Sequence, residues 1–136
     1  MTTAKIIHPS QVKPYVADQS YSSKMLLDDL VAGVEAINVN EGTLRGGGKT
    51  GGGVHEENEI YYVVKGEAVL HLDDEVFDIR PGDLIFIPAG VFHSLDNKSA
   101  TEEFVLLTLW QRAVYNEMWH IRMKAWGKSF KTIDEE

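Results

Sequence analysis

Three side chains of the sequence, His55, Glu59 and His93, carry donor atoms that divalent metal ions bind. Two imidazoles and one carboxylate are the donor set of non-haem iron sites and suit other first-row metal ions as well. The sequence contains no cysteine, so thiolate coordination is excluded. We therefore expect a divalent metal ion as cofactor, with Fe, Mn, Ni and Zn all open, provided that the fold brings these residues together.

The local sequence indicates how the three donors could converge. A spacing of four would place His55 and Glu59 on one face of a helix, but glycines at 51–53 precede the pair and an apolar run follows it. We expect a strand end at His55, a tight turn over 56–58 and a returning strand from Glu59, with both side chains on the same face. Val91, His93 and Leu95 alternate with Phe92 and Ser94, so the imidazole of His93 is predicted to point inward with its apolar neighbours.

Other side chains near these donors could contact a substrate. Tyr61 has the strand parity of Glu59, so its phenol should face the same interior, where it could orient a substrate, donate a proton or simply fill space. Arg45 and Lys49 border the glycine-rich segment 45–53 and could either meet an anionic substrate group or lie exposed. That segment is expected to be a flexible connection or a lid.

The elements that must position these residues are short and rich in Val, Ile, Leu, Tyr and Phe. They cover 59–65, 67–72, 75–79, 84–88, 91–95 and 103–110, and Gly, Pro, Asp or Asn stands in the breaks between them. Short strands with frequent turn residues predict an all-β sandwich or barrel, and the connections are too short for the crossover helices of a parallel sheet. Beyond the strands, 115–126 has apolar residues at helical spacing and predicts a C-terminal α-helix.

Length and charge narrow the range of partners. A chain of 136 residues is large enough for one β-barrel domain and too short for two. Its 21 acidic and 13 basic residues give a net charge of -8, which would repel a phosphate backbone, so nucleic acid is not expected as a partner. No apolar run approaches the roughly 20 residues that span a bilayer, and 1–15 does not resemble a secretory leader, so we expect a cytoplasmic protein without membrane contact.

Two segments resemble the two motifs of the cupin superfamily. The second motif, G-x5-P-x-G-x2-H-x3-N, is matched in full by Gly82, Pro88, Gly90, His93 and Asn97. The first motif, G-x5-H-x-H-x3-4-E-x6-G, is matched by His55 as its second histidine, Glu59 as its glutamate and Gly66 as its closing glycine. Where the family has its first histidine, this chain has Gly53.

The resemblance implies a small single-domain cupin. Its expected parts are an N-terminal extended arm over 1–23, a cupin-type antiparallel jelly-roll β-barrel over 24–112, and a C-terminal helix and tail over 113–136. The arm and the helix would be available for contacts in a homodimer, which is the assembly that similarity to small cupins suggests. The expected partner is a small-molecule substrate or ligand.

For the site, the resemblance implies three protein ligands instead of four. This leaves coordination positions open to water or substrate, or else it marks a site that has lost its chemistry, unless Glu56 or Glu57 supplies a replacement ligand or carries protons. The leading hypothesis is a metal-dependent isomerase or lyase acting on a sugar derivative or a keto or hydroxy acid. A non-haem iron dioxygenase with the same ligands, a non-catalytic cupin that binds a small ligand, and a purely structural barrel are the alternatives.

Overall fold

The computed structural model describes residues 4–12, 14–16, 19–27 and 37–111. In chain order these residues form a 3-10 helix Pro9–Gln11 and strands β1 (Tyr15–Val16), β2 (Tyr21–Leu27), β3 (Ile37–Leu44), β4 (Glu59–Lys65), β5 (Ala68–Leu72), β6 (Glu75–Ile79), β7 (Leu84–Ile87), β8 (His93–Asn97) and β9 (Phe104–Gln111). The predicted C-terminal helix lies outside the described residues. Within them, no helix has the length and apolar character needed to cross a membrane.

The strands form two antiparallel sheets. The larger sheet has the strand order β1-β2-β3-β9-β4-β7, and the smaller sheet has the order β6-β5-β8. Strands β3 and β9 are far apart in sequence but are paired over their full lengths at the centre of the larger sheet. This topology confirms the predicted all-β fold, which is a cupin-type antiparallel jelly roll.

Each of the six apolar segments predicted over 59–110 overlaps one strand, β4 to β9. The boundary of β8 differs, because Gly90 with a φ of 82° belongs to a turn and the strand begins only at His93. The larger sheet also extends into the predicted arm, since β1 and β2 both begin ahead of residue 24. The signal of β2 is weak in sequence because two of its buried side chains are the serines Ser22 and Ser23.

The glycine segment 45–53 is paired with β8, in contrast to the flexible connection that its composition predicts. Gly53 and His93 form an isolated antiparallel bridge. Thr50 donates its N–H to the carbonyl of Leu95 at 2.9 Å, and its Oγ1 accepts the N–H of Leu95 at 2.9 Å. The pairing arises because β8 is an edge strand of the smaller sheet, where its backbone groups need partners.

Asn97, the last residue of the second motif, has a structural role. Its Nδ2 lies 3.1 Å, 3.0 Å and 2.8 Å from the carbonyl oxygens of Leu44, Arg45 and Glu102. Its Oδ1 accepts the backbone N–H of Ser99 at 2.9 Å. One side chain thus ties the end of β3 to the end of β8 and to the loop that precedes β9.

The interior changes in character from one end to the other. One end is an apolar core whose members Leu44, Val63, Leu70, Phe104 and Leu106 are at most 1% exposed. Full burial of a side chain of this size contributes roughly 1.5–3 kcal/mol to folding. Toward the other end the buried side chains include the polar residues Asn38, Asn40, His93 and Thr108. An apolar wall with a few polar groups is typical of a small-molecule pocket.

The outer face of the larger sheet is apolar where β4 and β7 meet. Tyr62, Val64, Leu84 and Phe86 are between 41% and 65% exposed. Tyr62 is paired with Leu84 across the two strands, so the exposed side chains are neighbours on one face. We refer to these four residues as the outer patch. Contiguous apolar surface of this kind marks an interaction site more often than isolated exposed residues do.

Candidate metal centre

His55, Glu59 and His93 meet at one point in the interior. His55 Nε2 lies 2.8 Å from Glu59 Oε2, and His93 Nε2 lies 3.5 Å from the same oxygen. The ligand atoms of the three residues all lie within 4.8 Å of one another. Donor atoms bound to one ion at 2.0–2.2 Å are about 3.0–3.5 Å apart for angles of about 90–110° at the metal. The two separations from Glu59 Oε2 are close to this range, so the three side chains form a group that could hold a metal ion.

The backbone brings these donors together at a corner between the two sheets. Gly53, which precedes His55 by two residues, is paired with His93 in the smaller sheet. Glu59 begins β4 and is paired with Trp110 in the larger sheet. The predicted hairpin, in which the segments on either side of the turn pair with each other, is therefore wrong, because each segment takes its partners from a different sheet. The predicted convergence of the imidazole and the carboxylate is nevertheless observed.

Both imidazoles are oriented by backbone carbonyl groups. His55 Nδ1 lies 2.9 Å from the carbonyl oxygen of Glu57, and His93 Nδ1 lies 3.0 Å from that of Val91. A carbonyl oxygen only accepts hydrogen bonds, so Nδ1 of each ring carries a proton and donates it. In the neutral ring Nε2 is then left with a lone pair, and in both residues it is Nε2 that faces Glu59. A second ring N–H held by a carbonyl is the usual support of a metal-binding histidine.

The turn of the second motif holds the loop of the first. Gly90 donates its N–H to the carbonyl of His55 at 2.9 Å, and the N–H of Ala89 is donated to Asn58 Oδ1 at 2.9 Å. Gly90 has a φ of 82°, in the left-handed region that favours glycine. The turn that leads into His93 thus also fixes the backbone that carries His55.

His55 and Glu59 influence each other's protonation. The hydrogen bond with Glu59 raises the pKa of His55 against the opposing effect of burial, and Glu57 raises it further through its carbonyl and its charge. Burial raises the pKa of Glu59, but the hydrogen bonds and charges of His55 and His93 outweigh it and hold that pKa below its ordinary value. A proton shared by His55 and Glu59 lies where a metal ion would lie, so protons and metal compete for this place.

Gly53 leaves space beside the three donors. A Cβ built at this position has no heavy atom within 4 Å. The two acidic residues considered as replacements do not join the group of metal-binding side chains among the described residues. Glu56 is exposed, and the carboxylate of Glu57 lies 3.5 Å from Nδ1 of His55, the ring nitrogen opposite the one that faces Glu59.

The other predicted site residues differ in their distance from the donors. Tyr61 is 7% exposed and its ring lies edge-on to that of His93, with centroids 6.1 Å apart. Lys49 is exposed and lies opposite Asp96, three residues from His93 along β8. Arg45 lies beside the far end of β8, as the hydrogen bond from Asn97 to its carbonyl shows. The structure brings Tyr61 to the donors but not the two cations, whose role in binding substrate stays a prediction.

Asn38, Asn40 and Thr108 form a polar wall near Glu59 that was not predicted from the sequence. These side chains are 2–5% exposed. The available signal was the alternation along β3, where Asn38 and Asn40 share one parity while Ile37 and Val39 share the other. It was missed because apolar residues are expected to face the interior, and here they face outward.

Comparison with known proteins identifies the family. The family model described as cupin domain matches residues 40–110. An uncharacterized protein of Methanocaldococcus jannaschii is 34% identical over 101 residues, which cover 71% of this chain and 80% of that protein. An oxalate-binding protein of Thermotoga maritima is 39% identical over 57 residues, which cover 40% of this chain and 47% of that protein.

Solved structures agree with this assignment at the level of the fold. The crystal structure of a predicted oxalate decarboxylase from Thermotoga maritima superposes with a TM-score of 0.70 at 24% identity. The match covers 80% of this chain and 100% of that one. The motifs, the jelly roll and the family match lead to one conclusion: this chain belongs to the cupin family.

Proposed function

We propose that this cupin is a metal-dependent enzyme that acts on a small oxygen-rich molecule, a sugar derivative or a keto or hydroxy acid, with isomerase or lyase chemistry. The observation that carries the proposal is the orientation of the two imidazoles. Both Nδ1 atoms contact backbone carbonyls at 2.9–3.0 Å, so both Nε2 atoms are directed at the Glu59 carboxylate. This arrangement is suited to binding a cation.

In this proposal the metal ligands, the space at Gly53 and Tyr61 have separate roles. His55, Glu59 and His93 would hold the metal ion, which when bound supplies Lewis acidity toward a carbonyl or hydroxyl oxygen. The space beside Gly53 would admit the substrate to the open side of the ion. Tyr61, packed edge-on against His93, is the nearest candidate for orienting the substrate or for moving a proton.

Metal content is the first test. We expect elemental analysis of the purified protein to find about one first-row metal ion per chain, and His93→Ala to lose it because one of three ligands is removed. His71→Ala is a matched control, since His71 pairs with Asp96 at 3.1 Å and is not in the donor group. Absence of metal from the wild type, or its full retention in His93→Ala, would contradict the proposal. The metal-loaded protein is then screened for isomerase and lyase activity on sugar derivatives and hydroxy acids.

A non-catalytic cupin that binds a small ligand is the second candidate. Two observations favour it: Gly53 stands where the family has a histidine, and one relative is named an oxalate-binding protein. The two candidates differ in turnover. A binding protein would retain its ligand unchanged when incubated with metal, whereas an enzyme would release product in amounts beyond its own concentration.

We also propose that the protein is a homodimer in which the outer patch packs against a second copy. The patch is apolar and exposed, and burial of such a surface against its own copy would stabilise an interface between identical subunits. Packing on a second copy would remove Leu84, which is 65% exposed, from water.

A further inference from the structure

The interior wall of the larger sheet carries two rows of side chains near the metal centre. In one row Asn38 of β3 lies opposite Trp110 of β9, which lies opposite Glu59 of β4. In the next row Asn40 lies opposite Thr108, which lies opposite Tyr61. These three residues are at most 7% exposed, and we refer to them as the polar row.

Asn40 is the unusual member of the polar row. It is 2% exposed, and its Oδ1 is a buried oxygen with no hydrogen-bond partner among the described residues. Buried side-chain oxygens in folded proteins almost always have a donor, so an orphaned acceptor requires an explanation. Asn40 has the parity of the inner face of β3, like Leu44 of the core. A donor that enters the interior would approach from the side to which Asn40 points.

Spacing links this acceptor to the metal centre. Asn40 is two strands and one row away from Glu59, which corresponds to about 12 Å between their Cα atoms. Both side chains point into the same interior, and Tyr61 connects the two places because it packs against His93 and belongs to the polar row. A small molecule bound at the metal by one end would extend along this wall.

We propose that the polar row is the second contact of the substrate, in which Asn40 accepts a hydrogen bond from a hydroxyl group of a ligand whose oxygen-bearing other end binds at the metal. This inference rests on the proposed function and narrows its substrate class. A hydroxylated acid or sugar derivative offers the donor that Asn40 lacks. A dianion that has only acceptor oxygens, such as oxalate, offers no donor. The ligand named for the Thermotoga maritima relative therefore cannot form a hydrogen bond with Asn40 Oδ1.

The test compares ligands that differ only in the donor. Binding of 4-hydroxybutanoate and pentanoate, and of 6-hydroxyhexanoate and heptanoate, is measured by calorimetry on the metal-loaded protein. The members of each pair have the same length, and a hydroxyl in one stands where the other has a methyl group. We expect the wild type to prefer the hydroxyl member of at least one pair by about tenfold, because methyl leaves the buried oxygen unpaired.

Asn40→Leu separates a ligand contact from a structural role. Leucine has nearly the shape of asparagine and no polar atoms, so the hydroxyl preference should fall to about one while metal content stays unchanged. The variant loses no hydrogen bond to Oδ1, because that oxygen has no partner among the described residues. Asn40→Ala removes the same oxygen and tests the contact in the same way if Asn40→Leu does not fold. Thr43→Val, on the outward face of β3, is the control that should keep the preference.

The outcomes distinguish this inference from the one on which it rests. A wild type that binds metal but shows no hydroxyl preference in either pair overturns the role of the polar row. It does not contradict the proposed metal centre. A hydroxyl preference that survives Asn40→Leu or Asn40→Ala also overturns the role of the polar row. A wild type without metal overturns the proposed function and this inference with it.

Discussion

Gly53 and His93 face each other across an antiparallel pair, and each donates its N–H to the carbonyl of the other at 3.1 Å. Side chains at two such positions point to the same face of a sheet. The glycine therefore stands where a side chain would project beside the imidazole of His93. A Cβ at position 53 meets no atom within 4 Å, so there is space for a metal-binding side chain at this position.

Gly53→His should add a fourth ligand to the centre. We expect metal affinity, measured by competition with a chelator, to rise by at least about tenfold. Removal of a residue that only supports a metal ligand already costs about tenfold or more in metal affinity, and a direct ligand should contribute at least as much. Binding of small ligands should weaken because the open side is filled. Gly51→His is the matched control, since a Cβ there also meets nothing and the residue is not paired with His93. Equal affinities in the two variants would contradict the placement of Gly53.

Metal removal should lower stability by an amount set by the affinity. An ion that binds only the folded chain stabilises it by about 2.7 kcal/mol at a free concentration of 100 times Kd. We expect a chelator to lower the thermal unfolding midpoint of the wild type and to leave that of His93→Ala unchanged. A wild type whose midpoint is insensitive to both chelator and added metal would count against the centre.

The stabilisation by metal should grow with pH. Without metal, the lowered pKa of Glu59 stabilises the fold above about pH 4.5 and the raised pKa of His55 stabilises it below about pH 6.5, so this pair contributes most between these values. Its contribution is lost as pH rises through the raised pKa of His55 and as pH falls through the lowered pKa of Glu59. Metal binding requires the deprotonated imidazole and strengthens as pH rises.

Thermal unfolding with and without metal at pH 5.5 and pH 8 checks this dependence. The midpoint shift on adding metal should be larger at the higher pH in the wild type and in the His71→Ala control. A shift that is equal at both values would show that His55 does not exchange a proton for the ion.

Gly90→Ala should weaken the metal centre through the backbone. An L-residue at a φ of 82° is strained by roughly 1–2 kcal/mol, and relief of that strain would move the N–H that holds the carbonyl of His55. Gly82→Ala is the control, because Gly82 has a φ of 93°, an equally open Cβ position and a hydrogen bond to Val63 instead. Both variants should lose similar stability, and only Gly90→Ala should lose metal affinity. Equal metal affinities would indicate that the turn does not position His55.

Charge in the outer patch should break the proposed dimer. Leu84→Lys places an ammonium group in the middle of the apolar contact, so we expect sedimentation to show a dimer for the wild type and a monomer for the variant. Val76→Lys, at a position 61% exposed on β6 of the smaller sheet, is the control that should remain dimeric. A wild type that sediments as a monomer at all concentrations would exclude the interface.

How far the sequence predicts this molecule depends on the pattern of each element. Strand β8 was predictable in both existence and orientation, because His93 and Leu95 alternate with more exposed residues and lie in the second motif. The pairing of Gly53 with β8 was not predictable, since a glycine run contains no side chains that indicate a partner. Long-range pairing depends on which strand edge is left free, and local composition does not encode this.

The reversed alternation of β3 has a consequence for how the chain folds. Shifting a strand by one residue turns all its side chains over, and in β3 such a slip would bury Val39 and expose Asn40. Hydrophobicity alone would favour that wrong alignment in the half of β3 that forms the pocket. The correct alignment is enforced at the opposite end, where Leu44 enters the core and the ring of Tyr21 leaves no room for a side chain at Gly42. Mutations at Leu44 or Gly42 would therefore disrupt the distant ligand site, because they would allow β3 to pair in the shifted register.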